Sequence, residues 1–264
     1  MSKVRLIEMG PRDGLQTEAK TIPTEVKVAF VDALSAAGFD EIEVSSFVSP
    51  KWVPQLADAA EVFARIQRKP GVRYMALVPN EAGLDRALAA AVDKVAVFTA
   101  ASESFTRKNI NASIAESIER FRPVVQRSPV PVRGYVSTAW HCPYEGPIKP
   151  EAVLPVCEAL LELGCTELSI GDTIGKAVPD EVARLLDVLL PVVGADHLAN
   201  PARAHAMGIT AFDSSAGGIG GCPFAPGATG NVATQALVAL FGESTGIDST
   251  ALEGASAIVR PWIS

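Results

Sequence analysis

Arg12 and Asp13 are adjacent charged residues between an apolar run that ends at Met9 and the following Gly14. An arginine stays charged at any working pH and can hold an oxygen that carries negative charge. A carboxylate beside it can bind a cation or accept a proton. The two residues could instead be a surface ion pair at a turn, but their place just after a predicted strand favours a functional role.

Three other polar residues stand at comparable positions. Glu43 lies inside an otherwise apolar run, and a buried carboxylate needs a partner or a metal. Asp172 follows Gly171 at the end of another apolar run, and Asn231 follows a glycine-rich stretch. Oxygen ligands such as those of Asp13 and Asn231 suit Mg2+ or Mn2+, so a divalent cation site is one function that these residue types allow.

Cys222 comes directly after a segment, 217–221, in which four of the five residues are glycine. Glycines can make a loop mobile, and a thiol on a mobile loop can deliver a proton once the loop closes. The alternatives are a thiol packed in a tight turn and a phosphate-binding loop, although the segment lacks GxGxxG spacing and a lysine. We expect Cys222 to be catalytic and the other cysteines, Cys142, Cys157 and Cys165, to be packed thiols.

The elements that must position these residues alternate along the chain. Short β-branched runs are followed by longer stretches with an apolar residue every three or four positions, which is typical of a parallel sheet covered by helices. The predicted strands cover residues 4–9, 41–45, 73–78, 94–98, 130–136, 167–171 and 211–214. Predicted helices begin near residues 24, 54, 80, 113, 149, 179, 198 and 231. A chain of 264 residues without a linker indicates one α/β domain over residues 1–264, a TIM (β/α)8 barrel.

The number of predicted strands is one short of a closed barrel. The gap follows the predicted helix that begins at Pro179, where only Val192 and Val193 could pair in a sheet before the next predicted helix, which begins at His197. An empty seventh position would expose two strand edges and the barrel interior. Either the barrel closes differently here, or a segment between Asp196 and His197 is missing from the sequence.

Overall composition limits the classes of function. Hydrophobic residues make up 48% and charged residues 20% of the chain, which is enough for one large core. The formal net charge of -7, without a basic block, argues against a nucleic-acid partner. The sequence contains no apolar run long enough to span a bilayer and no secretory pattern, so we expect no membrane association and a cytoplasmic location.

Several motifs resemble those of one enzyme family, in the same order along nearly the whole chain. They are EMGPRDGLQ (8–16), SFVSPKWVPQ (46–55), KNIN (108–111), VRGYVS (132–137), GDTIG (171–175) and the glycine-rich Cys222 segment. The chain thereby resembles the 3-hydroxy-3-methylglutaryl-coenzyme A lyases, within the metal-dependent lyases and Claisen-type synthases built on the TIM barrel. The resemblance implies a metal-assisted retro-Claisen cleavage into acetyl-CoA and acetoacetate, in leucine degradation or ketone-body formation.

The resemblance also implies a role for each matching residue. Asp13 would be a metal ligand that could also act as general base, and Asn231 would be a second ligand of Mg2+ or Mn2+. Arg12 would hold the thioester carbonyl and stabilise the enolate oxygen. Cys222 would help to protonate the acetyl-CoA enolate. The remaining matches would orient these groups (Glu43 and Asp172) or bind substrate (Gln16, Ser46, Tyr135 and Ser169).

The sequence departs from the family at the predicted seventh strand. The family carries a His-x-His-Asp stretch there, whose two histidines complete the metal shell, and this sequence has none. His197 and His205 are too far apart in sequence to be ligands one helical turn apart, so we expect them to be surface or core residues.

Two alternatives stay open from the sequence. One is a related lyase that cleaves another 3-hydroxyacyl-CoA with the same metal shell. The other is a catalytically dead barrel that still binds CoA thioesters, if the seventh strand is truly deleted. Each reading predicts an acyl-CoA thioester as the ligand, and a homodimer is a further expectation.

Overall fold

Eight parallel strands form a closed barrel in the computed structural model, which describes residues 3–199, 202–221 and 230–263. Its strands are β1 (Arg5–Glu8), β2 (Glu41–Ser46), β3 (Arg73–Leu77), β4 (Lys94–Ala100), β5 (Val132–Ser137), β6 (Glu167–Ile170), β7 (Leu198–Ala199) and β8 (Ala211–Ser214). Each strand pairs with the next around the barrel, and β8 closes it against β1. The predicted TIM barrel is confirmed.

Helices cover the outside of the barrel. The described residues include α1 (Thr24–Ala36), α2 (Ala59–Arg65), α3 (Glu81–Ala89), α4 (Glu103–Ile110), α5 (Ile114–Arg127), α6 (Pro150–Leu163), α7 (Pro179–Val193), α8 (Thr234–Phe241) and α9 (Ser249–Val259). Local sequence explains several starts: the Ser113 hydroxyl and the Glu116 carboxylate form a capping box at α5, and Asn80 caps α3. Two helices, α4 and α9, are additional to those predicted from the sequence.

The seventh strand is present, although it is only two residues long. Leu198 pairs with Leu168 of β6, while Ala199 pairs with Ser169 of β6 and Ala211 of β8. The prediction of a missing strand is therefore wrong, because this short segment closes the barrel. A two-residue strand is too short to show the alternation from which strands are predicted.

The predicted elements around β7 are also corrected. Val192 and Val193 do not pair in a sheet, because they form the last turn of α7. The helix predicted from residue 197 is replaced by β7 between two short 3-10 turns, Ala195–His197 and Ala202–Met207. The seventh strand is thus followed by a 3-10 turn in the described residues, where most barrel strands are followed by an α-helix.

Charged side chains fill the N-terminal end of the barrel interior. Arg5, Glu41, Lys94 and Glu167 are the first residues of β1, β2, β4 and β6. Arg5 lies 2.9 Å from Glu41 and 2.5 Å from Glu167, and Lys94 Nζ lies 3.0 Å from each of the same carboxylates. Three of these four ion pairs join strands that are not neighbours, so they cross the interior. Burial alone would raise the pKa of Glu167, but Arg133, Lys94 and Arg5 lower it far below its ordinary value.

The apolar core lies mainly between the strands and the helices, and a smaller apolar cluster lies inside the barrel. The inner cluster consists of Ile7, Met9, Met75, Leu77, Ala96, Ala199 and Ala211. Three of its members are alanines, which leave room for the long polar side chains that share the interior. Within the described ranges, no helix combines the length and apolarity needed to cross a membrane.

Candidate active site

A short π-helical turn, Gly10–Gly14, follows β1 and carries Arg12 and Asp13 at the carboxyl end of the barrel. Such turns are rare and occur often at functional sites. The turn packs closely on its surroundings, since a Cβ atom on Gly10 would lie 2.6 Å from Glu8 Oε1. Glycine at this position therefore lets the backbone approach the barrel closely. Arg12 and Asp13 project from this closely packed turn.

Two carboxylates hold the buried guanidinium of Arg12. Its Nε donates to Glu43 Oε2 at 2.5 Å, and its Nη1 donates to Asp13 Oδ1 at 2.5 Å. The other oxygen of Glu43 accepts a hydrogen bond from the Tyr135 hydroxyl at 3.1 Å, and Arg12 Cζ lies 5.7 Å from the centre of the Tyr135 ring. Within the described part of the chain, Arg12 Nη2 makes no hydrogen bond, so this group can donate to an oxygen of a ligand.

Burial and opposite charges determine the protonation states of this cluster. Burial alone would lower the pKa of Arg12, but Glu43 and Asp13 raise it well above its ordinary value. Burial raises the pKa of Glu43, and the charge of Arg12 opposes that shift. Burial and the charge of Glu43 raise the pKa of Tyr135, whose hydroxyl therefore keeps its proton. The mouth of the barrel, which is the end formed by the carboxyl ends of its strands, thus holds the permanently charged Arg12 guanidinium beside the neutral phenol of Tyr135.

Asp13 and Asn231 meet across neighbouring strands, as the predicted barrel requires. Asn231 Nδ2 donates to Asp13 Oδ2 at 2.9 Å and to the backbone oxygen of Ile219 at 3.1 Å. The side chains are therefore in contact, but the amide nitrogen of Asn231 faces Asp13. This arrangement is a hydrogen bond between the two predicted metal ligands.

The described residues do not form a divalent metal site. Each carboxylate oxygen of Asp13 accepts one hydrogen bond, Oδ1 from Arg12 and Oδ2 from Asn231. In residues 3–199, 202–221 and 230–263, no group of three His, Cys, Asp or Glu side chains is arranged to hold a metal ion. The predicted two-ligand set thus lacks the additional oxygen or nitrogen donors that Mg2+ or Mn2+ would need.

His197 and His205 do not supply the absent donors. His197 Nδ1 lies 2.9 Å from the backbone oxygen of Thr166, which precedes β6, so this ring lies at the end of the barrel opposite the mouth. The His205 ring packs against Phe241 of α8 with 4.9 Å between ring centres. Both positions agree with the prediction that these histidines are surface or core residues.

We expect the protein to bind Mn2+ weakly, with a Kd on the order of 1 mM or above, because the described donor set is incomplete. Electron paramagnetic resonance of free Mn2+ in a protein titration measures this affinity. The Asp13→Asn variant serves as the control. Micromolar binding by the wild-type protein that disappears in Asp13→Asn would contradict the prediction and place a metal at Asp13.

Glu8, the last residue of β1, links the Gly10–Gly14 turn to residues that follow the neighbouring strand β8. Its Oε1 accepts hydrogen bonds from the backbone nitrogens of Gly10 at 2.8 Å and Ala216 at 2.9 Å, and its Oε2 accepts one from the Thr234 hydroxyl at 2.9 Å. Burial raises the pKa of Glu8 to about 7, although all three hydrogen bonds act to lower it. Glu8 was not among the predicted site residues, but it shares with Glu43 the signal of an acidic residue inside an apolar strand.

Two serine hydroxyls at the carboxyl ends of strands are buried without a hydrogen-bond partner in the described part of the chain. They are the hydroxyls of Ser46, the last residue of β2, and Ser215, which follows β8. Buried polar atoms are nearly always paired, so an unpaired hydroxyl at a barrel mouth indicates a place for a ligand or a water. The position of Ser46 supports its predicted role in substrate binding. Gln16 is half-buried and follows the Arg12 turn.

Ser169 and Asp172 belong to one strand and its loop, but they have different partners. The Ser169 hydroxyl donates to Asp213 Oδ2 at 2.7 Å inside the barrel. The oxygens of Asp172 accept hydrogen bonds from the backbone nitrogens of Lys176 at 3.1 Å and Ala177 at 2.9 Å, so Asp172 stabilises its own loop. Asp213 was not among the predicted site residues, although it gives the same signal as Glu8 and Glu43, an acidic residue inside a short apolar strand.

Cys222 lies outside the described residues, so its catalytic role stays a prediction. The other three cysteines, Cys142, Cys157 and Cys165, are buried free thiols, as predicted. Burial raises the pKa of both Cys157 and Cys165 to about 12. These two thiols are therefore protonated and unreactive at neutral pH.

Alkylation of the folded protein with iodoacetamide at pH 8 should leave Cys157 and Cys165 unlabelled, because their thiolates are scarcely populated. We expect inactivation to follow labelling of Cys222 and to be slowed by a bound CoA thioester. Cys222→Ser should keep substrate affinity within a few fold, while kcat falls by roughly 10²-fold or more. Peptide mapping tests this assignment. Labelling of Cys142, Cys157 or Cys165 in step with inactivation would move the role elsewhere.

Comparisons with known proteins agree over almost the whole chain. Residues 3–259 match the protein family described as HMGL-like. A Rattus norvegicus relative named "3-hydroxy-3-methylglutaryl-CoA lyase, cytoplasmic" is 48% identical, over 93% of this chain and 77% of that protein. The crystal structure of the HMG-CoA lyase from Brucella melitensis is 47% identical, with a TM-score of 0.95 over 99% of each chain. An HMG-CoA lyase from Acinetobacter baumannii, solved in complex with coenzyme A and 3-methylmalate, is 34% identical, with a TM-score of 0.92 over 98% of this chain and 91% of that chain.

Proposed function

Because the chain belongs to the HMGL-like family, we propose that it is a carbon–carbon lyase that cleaves 3-hydroxy-3-methylglutaryl-CoA into acetyl-CoA and acetoacetate. The observation that carries this proposal is the Arg12 guanidinium. It is held between Glu43 and Asp13 at the barrel mouth, and its Nη2 is available for a ligand oxygen. A guanidinium held in this way can bind an oxygen on which negative charge develops.

The cleavage requires two proton transfers and the shift of one electron pair. A base removes the proton of the substrate's tertiary hydroxyl, and this oxygen becomes the ketone oxygen of acetoacetate. The bond between the hydroxyl-bearing carbon and the carbon next to the thioester breaks, and its electron pair forms the thioester enolate. Arg12 stabilises the enolate oxygen, and a proton delivered to the enolate carbon completes acetyl-CoA.

Asp13 is the base that the geometry favours, because it is half-buried at the mouth and is held by Arg12 and Asn231. Ser46 and Gln16 lie at the same end of the barrel and would bind substrate. The proton for the enolate would come from Cys222, by the resemblance of its loop to the family. Asp172 would act indirectly, by keeping the loop after β6 in place.

Lyases of this family generally use a divalent metal. The described residues of this chain do not fit such a metal, since Asp13 and Asn231 bond to each other. Mg2+ or Mn2+ would be the metal that the resemblance implies.

Incubation of the purified protein with 3-hydroxy-3-methylglutaryl-CoA tests the proposal. We expect acetyl-CoA and acetoacetate to appear in equal amounts, each measured by a coupled enzymatic assay. A protein that binds the thioester in calorimetry without forming either product would refute the proposal and favour the dead barrel. Faster cleavage of a longer-chain 3-hydroxyacyl-CoA would favour the related lyase. The comparisons favour neither alternative.

The wider setting is proposed from the family resemblance and, for the location, from the relatives' names. The substrate is an acyl-CoA thioester, and the reaction would serve leucine degradation or ketone-body formation. A cytoplasmic location is supported by the name of the rat relative, whereas other relatives are named mitochondrial. A homodimer stays a prediction.

A further inference from the structure

Arg133 and Asp213 form an ion pair that crosses the barrel interior. It lies near the Arg12 cluster, which consists of Arg12, Asp13, Glu43 and Tyr135. Arg133 is fully buried at the second position of β5, and its Nη2 donates to Asp213 Oδ1 at 2.5 Å. Asp213 stands at the third position of β8. Because β5 and β8 are separated by β6 and β7, this contact spans the inside of the barrel.

Asp213 also holds one of the residues predicted to bind substrate. Its Oδ2 accepts the hydrogen bond from the Ser169 hydroxyl at 2.7 Å. A serine hydroxyl rotates freely unless a partner fixes it, and an ionised carboxylate is a strong acceptor. Asp213 therefore sets the direction in which the lone pairs of the Ser169 oxygen point.

Arg133 connects Asp213 to the Arg12 cluster, because it contacts both Asp213 and Tyr135. Its Cζ lies 5.1 Å from the centre of the Tyr135 ring. The Tyr135 hydroxyl donates to Glu43, and Glu43 accepts the Nε hydrogen bond of Arg12. A continuous series of contacts thus runs from Asp213 to the guanidinium that would stabilise the enolate.

The hydrogen bonding of Arg133 is incomplete in a way that a purely structural ion pair does not explain. Its Nε and Nη1 are buried and lack a hydrogen bond within the described residues, although Nε lies 3.1 Å from Glu167 Oε1. A buried donor without a partner is unfavourable. Such local disadvantages persist mainly at functional sites.

We propose that Asp213 is a positioning residue for the cleavage reaction, acting on Ser169 directly and on Tyr135 through Arg133. This inference rests on the proposed function for the identity of the reaction. Asp213 does not need to touch the substrate. Its effect is to fix the groups that do, and a misplacement of about 1 Å at such groups can reduce the rate by roughly 10²-fold.

The test is a double-mutant cycle with the near-isosteric variant Asp213→Asn, the variant Ser169→Ala and their combination. We expect each single variant to lower kcat/KM by about 10²-fold. The combination should lower it by less than about 10³-fold, because without the Ser169 hydroxyl one of the two effects of Asp213 is lost. A combined loss of about 10³-fold or more, or an Asp213→Asn protein with unchanged kcat/KM, would overturn the inference.

Glu41→Gln is the matched control. It breaks buried ion pairs inside the same barrel, but at the end opposite the mouth. We expect a lower melting temperature with kcat/KM within about threefold of the wild type, since the contacts of Ser169 and Tyr135 remain. If Asp213→Asn does not fold, Arg133→Lys is measured as a single variant instead, because lysine keeps the charge but loses the planar group over Tyr135. An unchanged kcat/KM in that variant would overturn the inference.

The design separates this inference from the proposed function. A wild-type protein that cleaves no 3-hydroxy-3-methylglutaryl-CoA would refute the function alone. The cycle is then measured as calorimetric affinity for the same thioester, where the inference requires a non-additive loss between Asp213→Asn and Ser169→Ala. Additive losses in affinity, or none, would overturn it.

Discussion

Arg12→Gln is expected to lower kcat by roughly 10²- to 10³-fold, as the loss of an oxyanion-binding donor does in other enzymes. The guanidinium interacts more strongly with the enolate oxygen than with the neutral thioester carbonyl, so its loss raises the barrier more than it weakens substrate binding. KM should therefore change little. Steady-state kinetics with 3-hydroxy-3-methylglutaryl-CoA separate the two effects.

The same substitution leaves the buried carboxylate of Glu43 without its cationic partner. We expect the variant to fold, since Glu43 can take up a proton and keeps the hydrogen bond from Tyr135. Arg122→Gln is the control, because Arg122 forms an exposed ion pair with Glu119 on α5. An Arg12→Gln protein that loses stability but keeps kcat would make Arg12 a structural ion-pair residue.

Glu8→Gln is expected to change how stability depends on pH. The pKa of Glu8 is about 7 in the folded protein and 4.5 for an ordinary glutamate. A raised carboxyl pKa contributes stability that is fully present below pH 4.5 and is lost as the pH rises through 7. Between pH 5 and pH 8, the free energy of unfolding of the wild type should fall by roughly 2 to 3 kcal/mol more than that of the variant.

Urea denaturation at both pH values measures this difference. At pH 5 the two proteins should have similar stability, because glutamine keeps an oxygen that accepts from Gly10 and Ala216. At pH 8 the variant should be the more stable protein. Parallel pH profiles would show that Glu8 stays ionised in the folded state, so that its three hydrogen bonds outweigh burial.

The convergence of Arg12, Asp13 and Glu43 could be predicted, because parallel strands bring their carboxyl ends together and each residue carries a charge at or near such an end. The hydrogen-bond partners of these side chains could not be predicted. Whether the oxygen or the nitrogen of Asn231 faces Asp13 depends on side-chain rotation and on the nearby Ile219 carbonyl, neither of which has a sequence signal.

The ion pair inside the barrel could not be predicted for a different reason. Arg133 and Asp213 are far apart in sequence, and each stands alone in a short strand. Their contact depends on which interior positions of β5 and β8 face each other across the barrel. Neither strand carries a sequence signal for that.

The wall of the barrel is weakest at β7, where Ala199 alone pairs with both neighbouring strands. By contrast, β4 and β5 pair over six successive residues. Transient opening should therefore begin at β7, and backbone amides there should exchange with deuterium sooner than those of β5. Ser169 of β6 pairs with Ala199 of β7. A thioester that binds the Ser169 hydroxyl would therefore also restrain the opening. Amide exchange at β7 would then report directly on substrate occupancy.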